Sequence, residues 1–437
     1  MRFFIETYGC QMNKAESASF NLQFLERAWE PAVSAEEADL VLINTCSVRI
    51  TAENRAWGRI AHYAAMKRER DFTLVVTGCM AERLRERMRE REPRIDYVLG
   101  NFQKSAFGLL LDSVAAGKRL DAIEETPAFA FMSSHREPGS FSSFVPIMHG
   151  CDNFCSYCIV PYVRGREISR DPESIAAEIG SASAAGVREI TLLGQNVNSY
   201  RWAGEDGELD FAGLLKAIAP VARSAGVGRV RFVSSHPKDL SDATIGAIAS
   251  DDVFARHIHL CVQHGSDRVL AAMNRKYTRD SYMALADRIR SRISGVTLST
   301  DILIGFPGET DEDVEDTIEL MRELRFAYAF MYYYNPREGT PAAVMPGQIP
   351  VAVKKARLAR VIEAQKAITR SVMEGMLGSE AVVLVEGVSK RRRDEVLART
   401  DQDMMVVFPA ASDRIGSFAR VRLDSIRGNT FKAVEVR

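Results

Sequence analysis

The first residues, MRFFIETYGCQMN, lack the long apolar stretch and small-residue cleavage site of a secretory signal. No apolar run reaches the roughly 18 residues that a membrane-spanning helix needs. Charge of one sign is also missing: 57 Lys and Arg stand against 58 Asp and Glu, a formal net charge of -1. Bulk charge therefore does not indicate nucleic-acid binding, although a basic face can sit inside such a balance. No repeat at a solenoid period and no low-complexity tract occurs. These absences lead to the expectation of a cytoplasmic protein with no membrane partner, where thiols stay reduced. The seven cysteines are then better read as metal ligands or reactive thiols than as disulfides.

What is present is ordinary globular composition, 46% hydrophobic and 26% charged over 437 residues, enough for several domains. The first part alternates short apolar runs with amphipathic stretches. It reads as strand Arg2–Glu6, helix Asn13–Ala28, strand Asp39–Asn44, helix Ala52–Arg68, strand Phe72–Thr77 and helix Ala81–Glu92. That alternation predicts an α/β domain, a parallel sheet covered by helices, over residues 1–115. A linker rich in Pro, Ser, Gly and charge covers 116–142. Residues 143–376 alternate again, with strands Phe144–His149, Glu189–Leu193, Val230–Ser234, His257–Val262, Thr297–Ile304 and Ala329–Tyr334. Six βα units suggest a partial (β/α)6 barrel rather than a closed eightfold one. From 377 to 437 the segments AVVLVEG, EVLART, MMVVFP and ARVRLDSI read as the strands of a small β-barrel.

The sharpest motif is Cys151-Asp-Asn-Phe-Cys155-Ser-Tyr-Cys158. Three thiolates this close can wrap one metal cluster, and a four-iron cluster usually takes four cysteines, so one iron is left for a cofactor or substrate. The loop follows a predicted strand, where barrels place their chemistry. The alternative is a zinc site with His149 as fourth ligand, but zinc modules pair two short ligand clusters and no second CxxC or HxxxH occurs. A second set, Cys10, Cys46 and Cys79, stands in YGC, NTC and TGC, each just after a predicted strand. In an open parallel sheet those ends share one edge. The alternative is three isolated core cysteines. Cys261, in HIHLCVQ, reads as a core thiol.

Polar groups gather at other strand ends: Gln195, Asn196 and Asn198 in LLGQNVNSY, Ser234, Ser235 and His236 in SSHP, and Asp301, Gly305 and Gly308 in TDILIGFPGET. They suit a polar ligand at a barrel mouth, or ordinary turn chemistry. Two basic stretches stand out, Lys390–Arg393 and PYVRGREISR with Arg164, Arg166 and Arg170. Either fits phosphate contact or surface solvation.

C-x3-C-x2-C with Tyr157 before the last cysteine resembles the radical S-adenosylmethionine superfamily. MHGCDNFCSYCIVPYVRGREISR is similar to its methylthiotransferase family, and the resemblance extends over nearly the whole chain. It implies two 4Fe-4S clusters, one on Cys151, Cys155 and Cys158 that binds S-adenosyl-L-methionine, the other an auxiliary cluster on Cys10, Cys46 and Cys79. The first is implied to yield a 5′-deoxyadenosyl radical, the second to supply the inserted sulfur. Tyr157, Gln195, Asn196, Asn198, Ser234, Ser235 and Asp301 are implied to lie at the cofactor. The last segment resembles a TRAM domain, an RNA-binding barrel. YGCQMN and NTCSVR, with Gln11, Asn13, Ser47 and Arg49, resemble the subgroup that methylthiolates C2 of dimethylallyl-adenosine beside the tRNA anticodon. Other subgroups act on threonylcarbamoyl-adenosine or on a ribosomal-protein aspartate. Implied partners are tRNA and an electron donor such as flavodoxin or ferredoxin. Cys261 and His264 stand where the family more often shows Pro and Ser. Since all six ligands lie upstream of Gly378, removing the small barrel is expected to leave both cluster sites in place.

Overall fold

The structure is a computed structural model that describes the chain except residues 49, 121–122, 126–128, 133–138, 206 and 437. Arg49 and part of the expected linker thus lie outside the described residues. The chain forms two compact units. One comprises the described residues of Met1–Glu137 with Met148–Asp152 and Cys158–Arg170; the other comprises Pro138–Ile147, Asn153–Tyr157 and Asp171–Arg437.

The first unit is built on five strands, β1 (Arg2–Thr7), β2 (Glu30–Pro31), β3 (Leu40–Thr45), β4 (Thr73–Gly78) and β5 (Tyr97–Leu99). Their order is β2-β1-β3-β4-β5 and every pair is parallel. β3 is buried throughout and β4 nearly so, as expected of parallel strands covered on both faces. Their alternate side chains divide between two cores. One holds Val41, Ile43, Leu74 and Val76 with Ile60 and Tyr63. The other holds Leu40, Leu42 and Val75 with Phe20, Phe24 and Phe107. The helix expected over 81–92 is instead two, Cys79–Leu84 and Glu86–Arg91, broken where Arg85 takes φ 43°. β7 (Met148–His149) pairs antiparallel with β8 (Ile168–Ser169) in this unit. The strand expected over 144–149 is therefore interrupted, because β6 (Ser142–Pro146) ends at a proline that cannot donate to a ladder.

The second unit holds β6, β9 (Glu189–Leu193), a β10–β11 hairpin (Arg201–Gly204, Gly207–Asp210), β12 (Arg229–Phe232), β13 (His257–His259), β14 (Thr297–Ile304) and β15 (Tyr328–Tyr333). Two parallel three-stranded sheets, β12-β9-β6 and β13-β14-β15, are joined by parallel bridges Val230–Phe254 and Ser235–Leu260. This is the expected six-stranded partial barrel. Its helices begin on caps that the sequence supplies: Asp171 accepts from Glu173 and Ser174 amides, and Thr310 and Asp313 form a reciprocal box.

Five further strands, β16 (Glu380–Val388), β17 (Glu395–Thr400), β18 (Met405–Pro409), β19 (Phe418–Arg427) and β20 (Thr430–Glu435), close a barrel in the order β16-β17-β18-β20-β19. It is fixed to the larger one. Arg229 and Arg231 of β12, both buried, reach the carbonyls of Val382, Arg399, Asp401 and Thr400 at 2.7–3.2 Å. Thr297 Oγ1 donates to the Gln402 carbonyl at 2.9 Å. Ala327 and Met373 belong to the small barrel's own core. Removing the small barrel would therefore also cut the hydrogen bonds that β12 and Thr297 make to it. Among the described residues, no helix is long and apolar enough to cross a membrane.

Candidate iron–sulfur and cofactor sites

Cys10, Cys46 and Cys79 follow the carboxyl ends of β1, β3 and β4, three adjacent strands. Strand neighbours lie about 4.8 Å apart, so the sheet brings three sequence-distant thiols to one edge. Two turns admit only glycine. At Gly9 (φ +135°) a Cβ would stand 2.7 Å from Cys46 Cβ, and at Gly78 (φ +94°) it would strike Thr45 backbone. Asn13 joins the turns: its Nδ2 donates to the Tyr8 and Thr45 carbonyls at 2.9 and 2.8 Å, and its Oδ1 accepts from Cys10 Sγ at 3.6 Å. Asn101 Nδ2 lies 3.9 Å from Cys79 Sγ. Among the described residues, the Ser47 hydroxyl and Asn101 Oδ1 are buried without hydrogen-bond partners.

The loop 151–158 opens on Gly150 (φ +77°), where a Cβ would meet the carbonyls of Gly165 and Arg166. The Cys151 amide donates to the Gly165 carbonyl at 3.1 Å. Within the second unit, Arg275 Nη1 donates to Cys155 Sγ at 3.2 Å and its Nη2 to the Cys261 carbonyl at 2.9 Å. Burial opposes that guanidinium's charge, but the groups around it, Cys155 and two tyrosines among them, hold its pKa well above normal. A buried cation beside this sulfur suits a cluster of net negative charge. Among the described residues, none of the six cysteines is in a disulfide. The donor sets, the cradles closed to a Cβ and the cations beside sulfur fit iron–sulfur clusters. His149, the fourth ligand of a zinc reading, is otherwise engaged: its ring stacks on Phe129 at 3.6 Å and its Nδ1 lies 3.3 Å from Arg164 Nη1. Burial, reinforced by Arg164, keeps it neutral.

A glycine that can take φ +77° without collision is irreplaceable here. We expect Gly150→Ala to strain the loop by about 1–3 kcal/mol and to lose iron from it. Iron analysis should then find roughly half the wild-type content, the Cys10, Cys46 and Cys79 share. Full wild-type content would contradict this.

The expected cofactor contacts divide. Among the described residues, Asn198 (both amide atoms) and the Ser235 hydroxyl are buried with no hydrogen-bond partner, which leaves them available to a ligand. Asn196 is committed, its Nδ2 to Asp239 at 2.7 Å and its Oδ1 to the His236 amide at 3.3 Å. Gln195 is half-buried and Ser234 takes φ 67°. Tyr157 packs against Val269, Met273, Phe306 and Tyr334. Asp301 accepts from Cys261 Sγ at 3.4 Å and lies 3.6 Å from His259 Nε2, so Cys261 faces a polar cluster rather than a plain core. Phe330 and Tyr332 of β15 stay 49% and 38% exposed. Of the arginines expected to touch RNA, Arg164 and Arg170 are 1% and 6% exposed. Arg164 is held by Glu16 and Asn13, so neither reaches a partner surface; Arg166 is exposed. Sequence reading missed Glu16, Lys104 and Arg275, whose partners are remote in the chain.

Residues 2–100 match an uncharacterized protein family, UPF0004, residues 145–321 the radical SAM superfamily, and residues 374–434 the TRAM domain. A protein of Treponema denticola called tRNA-2-methylthio-N(6)-dimethylallyladenosine synthase is 48% identical, with 99% of each chain covered. The chain belongs to the methylthiotransferase family of radical S-adenosylmethionine proteins. Proteins with the same printed name from Moorella thermoacetica (41% identical; 96% of this chain, 95% of that) and Bacteroides fragilis (42%; 100% and 96%) agree. Among solved structures, the radical S-adenosylmethionine methyltransferase TsrM of Kitasatospora setae is similar in fold. Its TM-score is 0.61 at 15% identity, with 78% of this chain and 77% of that one covered. Family membership makes the chain an enzyme that transfers a methylthio group with S-adenosylmethionine and two 4Fe-4S clusters.

Proposed function

We propose that the chain methylthiolates C2 of N6-dimethylallyladenosine next to the anticodon of tRNA. The observation that carries this reading is the match to synthases of that name along 99% of both chains. The C2–H bond is too weakly acidic for a protein base, so a bound cofactor must supply radical chemistry. Cys151, Cys155 and Cys158 would hold the cluster that binds S-adenosylmethionine, which supplies a carbon radical when reduced. Cys10, Cys46 and Cys79 would hold the auxiliary cluster, the station of the sulfur. Tyr157, Gln195, Asn198, Ser234, Ser235 and Asp301 would line the cofactor, with Asn196 positioning the turn. Functional domains would run 1–115, 143–376 and 377–437, with 116–142 between them. A cytoplasmic location and a flavodoxin- or ferredoxin-like electron donor go with this chemistry.

The test is product analysis. Reconstituted enzyme, reductant and S-adenosylmethionine are incubated with tRNA carrying dimethylallyl-adenosine or threonylcarbamoyl-adenosine, and nucleosides are read by mass spectrometry. A methylthio product from the first tRNA alone is expected. Product from the second alone would overturn the assignment.

The small barrel would carry part of the tRNA contact through Lys390–Arg393. Arg392 already pairs with Asp394 at 2.7 Å. Changing Arg391, Arg392 and Arg393 to Ala should therefore lower the log–log salt slope of tRNA binding by about two units rather than three. An unchanged affinity and slope would make this loop a solvated surface.

A further inference from the structure

The α/β domain buries an imbalance of charge beside Cys10, Cys46 and Cys79. Glu16 is 5% exposed, and Arg164 Nη1 donates to its Oε1 at 2.8 Å. Lys104 Nζ, also buried, lies 2.8 Å from the other oxygen. Among the described residues these two cations have no ionic partner besides Glu16. One carboxylate against two cations leaves a formal positive charge, and burying an uncompensated charge is costly.

The missing anion is at hand. Arg164 Nη2 donates to Asn13 Oδ1 at 3.2 Å, the atom that also accepts from Cys10 Sγ at 3.6 Å. Val163, the preceding residue, packs with Ile159 against Cys79. Asn101 Nδ2 ties the Val163 carbonyl at 2.5 Å and lies 3.9 Å from Cys79 Sγ. Burial opposes both charges: it lowers the pKa of Lys104, against the pull of Glu16 and Cys79, whereas Cys79, Glu16 and Cys10 together hold that of Arg164 well above normal. Glu16 stays ionised between the cations: burial alone would raise its pKa, but Arg164 and Lys104 hold it at about 2.

We propose that Arg164, clamped by Glu16 and seconded by Lys104, is a positioning residue. It is the fixed counter-charge of the cluster on Cys10, Cys46 and Cys79 and sets its reduction potential. A guanidinium suits the task because it cannot lose its proton in a protein. Reduction adds a negative charge, so a buried cation beside the cluster favours the reduced state. The inference rests on the reading of those three cysteines as cluster ligands.

The experiment uses the full chain with Cys151, Cys155 and Cys158 changed to Ala, so that one cluster alone reports. Its potential is followed by EPR during a dithionite titration. Glu16→Gln adds a positive charge and should raise the potential. Arg164→Gln and Lys104→Met each remove one and should lower it. At a fixed potential each change should move the reduced-to-oxidised ratio at least tenfold, about 59 mV for one electron. Arg164→Lys should restore the parent value. A packing defect would not give opposite signs for Glu16→Gln and Arg164→Gln. Iron present with unmoved potentials, or shifts of one sign, would overturn the inference. No iron in the parent variant would instead sink the ligand assignment on which it rests.

Discussion

Cys155→Ala is expected to abolish reductive cleavage of S-adenosylmethionine, whereas Cys46→Ala is expected to leave it largely intact and stop methylthiolation. Cys155 is one of three cysteines in its loop, and Arg275 Nη1 donates to its sulfur at 3.2 Å. In the proposed ligand set, losing it would leave two ligands and remove the sulfur that the buried Arg275 guanidinium faces. Cys46 serves the other set: it sits 2% exposed at the end of β3, against the turn where Gly9 cannot carry a Cβ. The two readouts are 5′-deoxyadenosine formation and methylthiolated nucleoside, measured on the same preparations. Methylthiolated product from the Cys46 variant would show that the first domain does not handle the sulfur. Wild-type 5′-deoxyadenosine formation by the Cys155 variant would remove the loop from cofactor cleavage.

The second large effect concerns removal of the small barrel. A chain ending before Gly378 should melt about 10 °C or more below the full chain and lose iron on storage. The reason lies in β12. Arg229 and Arg231 make four guanidinium–carbonyl hydrogen bonds to the small barrel. At about 1.5 kcal/mol each, the low end for charged donors, these approach 6 kcal/mol. That is comparable with the roughly 5–15 kcal/mol by which ordinary domains are stable. Truncation also uncovers Ala327 and Met373, which share the small barrel's core, and removes the Phe418 ring that packs on Gly228. The surface variant of Arg391, Arg392 and Arg393 touches none of this and should melt like the parent. Equal melting of truncated and full chains would mean that the docking contributes nothing.

The architecture was legible because its strands are regular. Leu40–Thr45 and Thr73–Gly78, buried along nearly their whole length, read as continuous apolar runs, and the barrel strands alternate with amphipathic helices. β2 and β5, two and three residues long at the sheet's edges, are too short to show a period. The break at Arg85 carries neither glycine nor proline to announce it. That Cys10, Cys46 and Cys79 follow the ends of neighbouring strands was legible from position. The electrostatic setting of the cysteines was not. Arg164 meets Glu16 across 148 positions and Arg275 meets Cys155 across 120, and no local pattern marks a charge that will be buried. In the sequence PYVRGREISR looks like a basic face; the fold turns Arg164 inward to a carboxylate and a cysteine site.

The central claim is that one chain holds two three-cysteine clusters, and Mössbauer spectroscopy with iron and sulfide assay after anaerobic reconstitution tests it most directly. The full chain should hold about eight irons, all in four-iron clusters. The variant with Cys10, Cys46 and Cys79 changed to Ala, and that with Cys151, Cys155 and Cys158 changed, should each hold about four. A full chain that saturates at about four irons, with either triple variant unchanged from it, would contradict the account.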